Sequence, residues 1–173
     1  MEHPVRVSWL RRSFVAAGVM VLALVVAGCS FSLTITYDTE KAKVGKLLSD
    51  FGTAWETEDA ARLRTTLGDQ ITVVTTLNQY EYYKREDYVS QALQEWTYHH
   101  YEQYEIQNWD VDFAQNYTAA AVAGQLWEKK DGGAVVVTPV RLSLVKNSGS
   151  WQIVRIDYYA GGGHPFAVPR QGQ

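Results

Sequence analysis

The amino-acid sequence predicts an α+β domain, and three observations lead to that fold class. Apolar residues recur at helical spacing in segments that follow residue 38, whereas the C-terminal half consists of longer β-rich segments. Short turn signals separate those segments, and strands joined so tightly pair antiparallel. The predicted order is helix, short helix, strand, helix and then a run of long antiparallel strands. We therefore expect a curved antiparallel sheet wrapped around about three N-terminal helices.

A signal segment precedes that domain. Phe14–Gly28 carries no charge, is shorter than the ~20 apolar residues of a membrane span, and ends at Cys29, the only cysteine. Arg6, Arg11 and Arg12 ahead of it form the positive region of a secretory signal. We therefore expect a cleaved signal peptide, with the remainder of the chain outside the cytoplasm.

An uncleaved membrane helix is the alternative for the same segment. No charged residue appears between Phe14 and Asp38, so the whole stretch could cross a bilayer as a signal anchor. A buried core helix with a core cysteine fits poorly, because the run has no polar face. The first two alternatives place the domain on the same side of the membrane.

The four residues Val26-Ala27-Gly28-Cys29 resemble the bacterial lipobox. This resemblance implies cleavage between Gly28 and Cys29, a diacylglycerol on the Cys29 thiol and acyl chains such as palmitate on the new amino terminus. Two or more chains hold a protein stably at a bilayer. The expected location is the cell membrane or the outer membrane. Ser30, which follows the modified cysteine, is not an acidic retention residue, so sorting to an outer membrane would be permitted.

Composition limits what the exported part can do. Removal of residues 1–29 leaves 13 basic and 18 acidic residues, a formal charge of −5, so no nucleic-acid partner is expected. With Cys29 lipidated, no disulfide can form. We assign residues 1–28 to the signal peptide, 29–38 to the lipidated cysteine and a short tether, 39–160 to one domain, and 161–173 to a flexible tail.

Caps and periodicity predict the first elements of the domain. Alternating apolar residues in Ser30–Tyr37 favour a short strand or an extended stalk. Asp38 or Thr39 then caps a helix whose apolar face extends to Trp55. Asp59 caps a second, shorter helix.

The remaining elements follow from turn and strand signals. Gly68-Asp69 ends the second helix, Ile71–Thr76 is a β-branched strand, Leu77–Arg85 is polar and tyrosine-rich, and Glu86–Tyr98 has the pattern of a third helix. Four long strands complete the domain: His99–Phe113, Thr118–Lys129, Ala134–Lys146 and Trp151–Tyr159.

Three pieces of this domain, Phe51–Val74, Tyr117–Gly132 and Arg141–Tyr159, resemble the nuclear transport factor 2-like superfamily, which includes SnoaL-like polyketide cyclases and ketosteroid isomerase. The likeness extends over residues 39–159. Its most telling positions are Trp55, Asp59, Leu63, Gly149, Trp151 and Ile153. The resemblance implies a conical cavity between sheet and helices, which serves as an enzyme site in some members and as a binding pocket or scaffold in others.

Aromatic residues are the most prominent candidates for a pocket. Tyrosines cluster around the third helix, and such side chains suit a flat apolar ligand, a lipid or a partner surface, although they also fill a core that lacks disulfides. The candidate pocket residues are Trp55, Tyr98, His100, Trp109, Trp127 and Tyr158.

A catalytic site is the alternative function. Enzymes of the superfamily place an acid in the apolar cavity, often with a tyrosine, arginine or histidine, and the matching candidates are Asp157, Arg141 and His99. None of them completes a catalytic motif of the family. Arg141 and Asp157 are equally well explained as a cross-strand ion pair on the outer face of the sheet.

No metal or other cofactor is expected. His99 and His100 are neighbours on a predicted strand and therefore point to opposite faces, so they cannot readily hold one ion. Asp110 and Asp112 share a strand face, but carboxylates at a strand end are usually solvated.

We expect a non-enzymatic module that binds a small apolar ligand or an envelope protein; the alternative is a small isomerase or hydrolase with an Asp or His in the cavity. On the last strand, Trp151 and Ile153 occupy one face and Val154, Ile156 and Tyr158 the other, so both faces are predicted to be apolar and buried. A second copy covering the outer face would give a homodimer.

Overall fold

The computed structural model describes residues 36–75, 77 and 79–159. The chain forms two compact units, residues 1–40 and 41–173; of the first, only residues 36–40 are described, and they are helical. The predicted signal peptide, the lipobox and the C-terminal tail lie outside the described residues. Within the described part of the chain, no helix has the length and apolarity that crossing a membrane requires.

The described residues contain three helices, as the sequence predicted. Helix α1 covers residues 36–56, α2 is Ala60–Thr66 and α3 is Arg85–Trp96. The prediction of a strand or stalk through Tyr37, followed by a cap at residue 38 or 39, is wrong, because residues 36–40 are already helical. Tyr37 lies seven residues before Val44, so the helical period continues back through it.

Six strands form one curved, unclosed sheet. They are β1 (Leu67–Val74), β2 (Tyr80–Lys84), β3 (Tyr101–Phe113), β4 (Ala119–Lys130), β5 (Val136–Asn147) and β6 (Ser150–Tyr158). Their order is β2-β1-β6-β5-β4-β3, and every neighbouring pair is antiparallel except β1 and β6, which are parallel. The predicted run of four long antiparallel strands is therefore confirmed.

The start of the sheet differs from the prediction in two places. The second helix was predicted to end at Gly68-Asp69, but α2 ends at Thr66 and these two residues lie within β1. The β1–β6 register is irregular between Leu67 and Thr72, around them. The segment 77–85, to which no element was assigned, contains β2.

The helices pack on one face of this sheet and form a single core with it. The fully buried side chains come from both layers and include Phe51, Leu63, Ile71, Val89, Leu142 and Ile153. Phe51 packs edge-on against Tyr104, with 5.9 Å between ring centroids. Burial of this apolar surface supplies the stability that a domain without disulfides needs.

A bulge in β6 corrects the predicted face assignment of that strand. Leu144 pairs with Ile153 and Leu142 with Ile156, so a register shift places Ile156 on the same face as Ile153. The prediction that these two isoleucines point to opposite faces is therefore wrong. The apolar outer face on which the homodimer hypothesis rested is not present on β6, and the homodimer itself stays a prediction.

Candidate functional site

A cavity of about 370 Å³ lies between the helices and the sheet, and its apolar wall is aromatic. Trp55 on α1 contributes one side of this wall and stacks on Tyr104 of β3 with 4.7 Å between ring centroids. Trp96 and Tyr101 contact Trp55 edge-on, at 5.6 and 5.2 Å. Because these rings hold one another in place, the wall is preformed.

Five tyrosines surround the cavity, from four different elements: Tyr83, Tyr88, Tyr101, Tyr104 and Tyr158. The hydroxyl oxygens of Tyr104 and Tyr158 are 3.5 Å apart. Tyr88 is only 9% exposed. Among the described residues, the Trp55 indole nitrogen of this lining is buried without a hydrogen-bond partner. The cavity therefore contains at least one polar group that a ligand could satisfy.

The tyrosine hydroxyls remain protonated at neutral pH. Burial raises the pKa of Tyr88, Tyr101, Tyr104 and Tyr158, and proximity to other cavity groups, among them Glu95 and Glu128, adds to it. Burial, with the adjacent Glu81, raises the pKa of Tyr83 to about 12. These side chains therefore act as neutral hydrogen-bonding groups.

Charged side chains stand around the tyrosines. The Tyr83 hydroxyl donates to Glu81 Oε2 at 2.6 Å, and the Tyr101 hydroxyl donates to Glu95 Oε1 at 3.1 Å. Lys130 Nζ lies 3.7 Å from Glu95 Oε1 and 3.6 Å from Glu128 Oε1. The lining thus combines three carboxylates with a single ammonium group.

Two of the six predicted pocket residues, Trp55 and Tyr158, line this cavity. Tyr98 is 73% exposed and His100 is paired with Glu58, so both lie outside it. Trp109 borders a separate groove between α1 and β3. Trp127 lies opposite Val137 and Glu105 on the neighbouring strands, and its indole nitrogen is buried without a hydrogen-bond partner.

The three candidates for catalysis lie outside the cavity lining. Asp157 is buried and accepts a 2.7 Å hydrogen bond from Arg155 Nε. Arg141 is the cross-strand neighbour of Asp157 in the β5–β6 register, as the ion-pair alternative requires, but the ion pair described for Asp157 is with Arg155. His99 is paired with Asp131.

The two adjacent histidines bind different carboxylates, since His99 pairs with Asp131 and His100 with Glu58. Both precede β3 instead of lying within it. Among the described residues, no group of three or more His, Cys, Asp or Glu side chains is placed to hold a metal ion.

Sequence reasoning identified the tyrosine cluster but missed the charged residues that accompany it. Glu128 and Lys130 follow the buried Leu126 at intervals of two on β4, so strand parity could have placed them on the inner face. Glu81 gave no such signal, because it lies on a strand that was not predicted. Glu95 follows the buried Tyr88 and Ala92 by seven and three residues, so helical periodicity could have placed it on the inner face of α3.

Comparison with known proteins identifies the fold. No protein-family model matches the chain, and no curated protein matches it. Among solved structures, a protein of unknown function with a cystatin-like fold from Nostoc punctiforme is 14% identical, with a TM-score of 0.57, and the match covers 72% of this chain and 93% of that one. A nuclear transport factor 2-like protein from Cytophaga hutchinsonii is 13% identical, with a TM-score of 0.56 and coverage of 72% and 98%.

A third structure, from Novosphingobium aromaticivorans, bears the provisional name scytalone dehydratase. It is 17% identical, with a TM-score of 0.59 and coverage of 72% of this chain and 86% of that one. At such identities the likeness shows the fold alone. The described domain therefore has the nuclear transport factor 2-like, cystatin-like cone that its sequence predicted.

Proposed function

We propose that this protein is a lipid-anchored binding protein outside the cytoplasm, whose cone holds a small, mainly apolar ligand without transforming it. The observation that carries the proposal is the aromatic cavity of about 370 Å³, a volume suited to a small molecule. Its wall offers ring faces and neutral hydroxyls, and its three carboxylates are already held by Tyr83, Tyr101 or Lys130. Groups of this kind bind and orient a ligand more readily than they transfer protons.

The lipid anchor in this proposal rests on the sequence. Six residues separate Cys29 from residue 36, where the described helix is already present. Even a fully extended linker of that length reaches only about 25 Å, so a lipidated Cys29 would keep the cone next to the bilayer.

Replacement of the lipidated cysteine tests the anchor. In cells producing Cys29→Ser, we expect the protein to leave the membrane fraction and the mass added by lipid to disappear, whereas Ser30→Ala should remain lipidated and membrane-bound. Wild-type protein with an unmodified Cys29 thiol and an intact leader would contradict the anchor and favour the signal-anchor helix.

A bulky residue at the cavity entrance tests ligand binding. Gln91 lines the cavity on the exposed side of α3, so Gln91→Trp should obstruct the entrance without disturbing the core. Gln94→Trp makes the same change on the same helix at an exposed position outside the lining and is the matched control. The full chains, in maltoside micelles, are incubated with a cell-envelope extract, and the retained compounds are identified by mass spectrometry.

We expect wild type and Gln94→Trp to retain the same compound and Gln91→Trp to lose it. Equal retention by all three chains would place the binding elsewhere. Retention of nothing by any chain, together with a single crosslinked envelope protein, would favour a protein-docking module over a ligand carrier.

A small enzyme is the second candidate, and one observation favours it. Glu95 accepts a hydrogen bond from Tyr101 inside the cavity, which pairs a carboxylate for proton transfer with a donor for a developing oxyanion. If the cone is catalytic, wild type should release an altered compound where Glu95→Gln releases it unchanged. Recovery of the same unaltered compound from both chains would exclude this candidate.

A further inference from the structure

The cavity is electrically unbalanced. Its lining contains Glu81, Glu95 and Glu128 against Lys130 as the only basic residue. The Lys130 ammonium is shared between Glu95 and Glu128, whereas Glu81 at the mouth has no cationic partner among the described residues. A ligand that enters this space therefore meets an excess of negative charge.

The hydrogen-bond inventory of the cavity points the same way. The hydroxyl protons of Tyr83 and Tyr101 are already donated to Glu81 and Glu95. What these groups still offer is lone pairs on hydroxyl and carboxylate oxygens. The Trp55 indole N–H, buried and without an acceptor among the described residues, is one donor of the lining that these oxygens do not use. A ligand that satisfies the hydroxyl and carboxylate oxygens of this lining must itself carry N–H donors.

The Lys130 side chain shows that an ammonium group fits between these carboxylates and an aromatic ring. Its Nζ lies 5.6 Å from the centroid of the Tyr101 ring while it contacts the two glutamates. An ammonium group above an aromatic face and beside carboxylates is a favourable arrangement that strengthens as water is excluded.

From this arrangement, and building on the proposed function, we infer that the ligand of the cone is an organic cation, a primary ammonium group carried on an aromatic or apolar body. The body lies against Trp55 and the tyrosine rings. The ammonium group binds the carboxylates and the Tyr88 hydroxyl, either beside Lys130 or in its place.

Three probes of similar size and different charge test the inference: phenethylammonium, 2-phenylethanol and 3-phenylpropanoate. Each is titrated calorimetrically into the full chain in maltoside micelles, with empty micelles as the blank. We expect the cation to bind about tenfold or more tightly than the alcohol or the carboxylate. Tyr88→Phe should weaken the cation several-fold and leave the alcohol less affected.

A charge-neutral replacement of Lys130 gives the sharper test. Lys130→Gln leaves Glu95 and Glu128 without their ammonium partner, so phenethylammonium should bind more tightly and 3-phenylpropanoate more weakly. Lys129→Gln removes the same charge from the adjacent residue, which pairs with Glu102 outside the cavity lining, and should change neither affinity appreciably. Circular dichroism verifies that both variants are folded.

The outcomes distinguish failure of the cationic ligand class from failure of the proposed binding function. Equal or tighter binding of the alcohol or the carboxylate overturns the cationic ligand class while a binding function remains. Weaker cation binding by Lys130→Gln also overturns it, since Lys130 would then position an anionic group. If no probe binds, the inference falls, and the Gln91→Trp and Gln94→Trp comparison decides the proposed function independently.

Discussion

Gly52 lets helix α1 approach strand β3 more closely than any other residue would permit. A Cβ atom at this position would lie 2.3 Å from the Tyr104 backbone oxygen, well inside contact distance. The neighbouring Trp55 stacks on the Tyr104 ring, so the same approach builds the cavity wall. The missing side chain at position 52 is therefore a requirement of the site as well as of the core.

We expect Gly52→Ala to lower the free energy of unfolding by about 1–3 kcal/mol, because the backbone atom it meets cannot rotate away. Gly45→Ala on the same helix is the matched control: its Cβ would meet only the Trp109 side chain, at 3.3 Å. Urea denaturation of both variants measures the difference. Equal stabilities for the two variants would contradict the close approach at position 52.

Residues on β6 show where side-chain direction could and could not be predicted. Arg155 and Asp157 are two positions apart, share a strand face and pair with each other, and that spacing was visible in the sequence. The bulge that brings Ile156 to the inner face left no sequence signal, because any residue can be the extra one in a β-bulge. The inward position of Tyr158 beyond that bulge followed from tertiary pairing alone.

Among the elements, the short helix α2 depends most on its cap. Asp59 Oδ1 accepts a 2.9 Å hydrogen bond from the Arg62 backbone nitrogen, as the sequence predicted. Asp59→Ala should therefore cost about 1 kcal/mol of stability, whereas Asp59→Asn keeps an accepting oxygen and should cost much less. Thermal unfolding followed by circular dichroism compares the two, and an equal loss for both would mean that the carboxylate charge matters more than the cap.

The hairpins were predictable and β2 was not, because only the hairpins carry a local sequence signal. Asp131, Gly132, Ser148 and Gly149 all have positive φ, and the Asp, Gly and Ser residues at these positions are the turn signals that located the long strands. Tyr80–Lys84 is almost entirely exposed, so its residues carry no burial alternation from which a strand could be read. It becomes a strand because β1 offers it an edge.

At the scale of the whole domain, the buried tyrosines couple stability to alkaline pH. Their pKa values in the fold lie above the ordinary value of 10.0, and that of Tyr83 is about 12. The stabilisation that comes from keeping these groups neutral is complete below about pH 10 and is lost as the pH rises above it, because the unfolded chain ionises first.

We expect the free energy of unfolding to fall above about pH 10, and tyrosinate absorbance to rise together with the loss of structure. Tyr83→Phe should reduce the fall, and Tyr82→Phe, at the 77% exposed neighbour, is the matched control. Urea denaturation at several pH values measures how far the free energy of unfolding falls in each chain. A fall of the same size in wild type and Tyr83→Phe would remove Tyr83 from the explanation.

The fold was far more predictable than the site. Periodicity, caps and turns are local signals, and they were enough to identify three helices and four long strands. The cone was predicted from the resemblance of three pieces of the domain to the nuclear transport factor 2-like superfamily. The cavity draws Trp55, Glu81, Glu95, Tyr104 and Glu128 from separate elements, so its composition depends on how those elements meet. Trp55 was predictable because it belongs to the fold pattern. The glutamates were not, because their place in the cavity depends on which other elements pack against them.

The last described strand, β6, occupies the interior of the sheet, between β1 and β5. The ribosome delivers it after every other described element, so a nascent chain that stops short of Ser150 exposes two strand edges with no partner. Such edges attract chaperones, proteases and other unfinished chains. Synthesis of β6 is thus the step that pairs both of these edges and removes the tendency of the intermediate to associate.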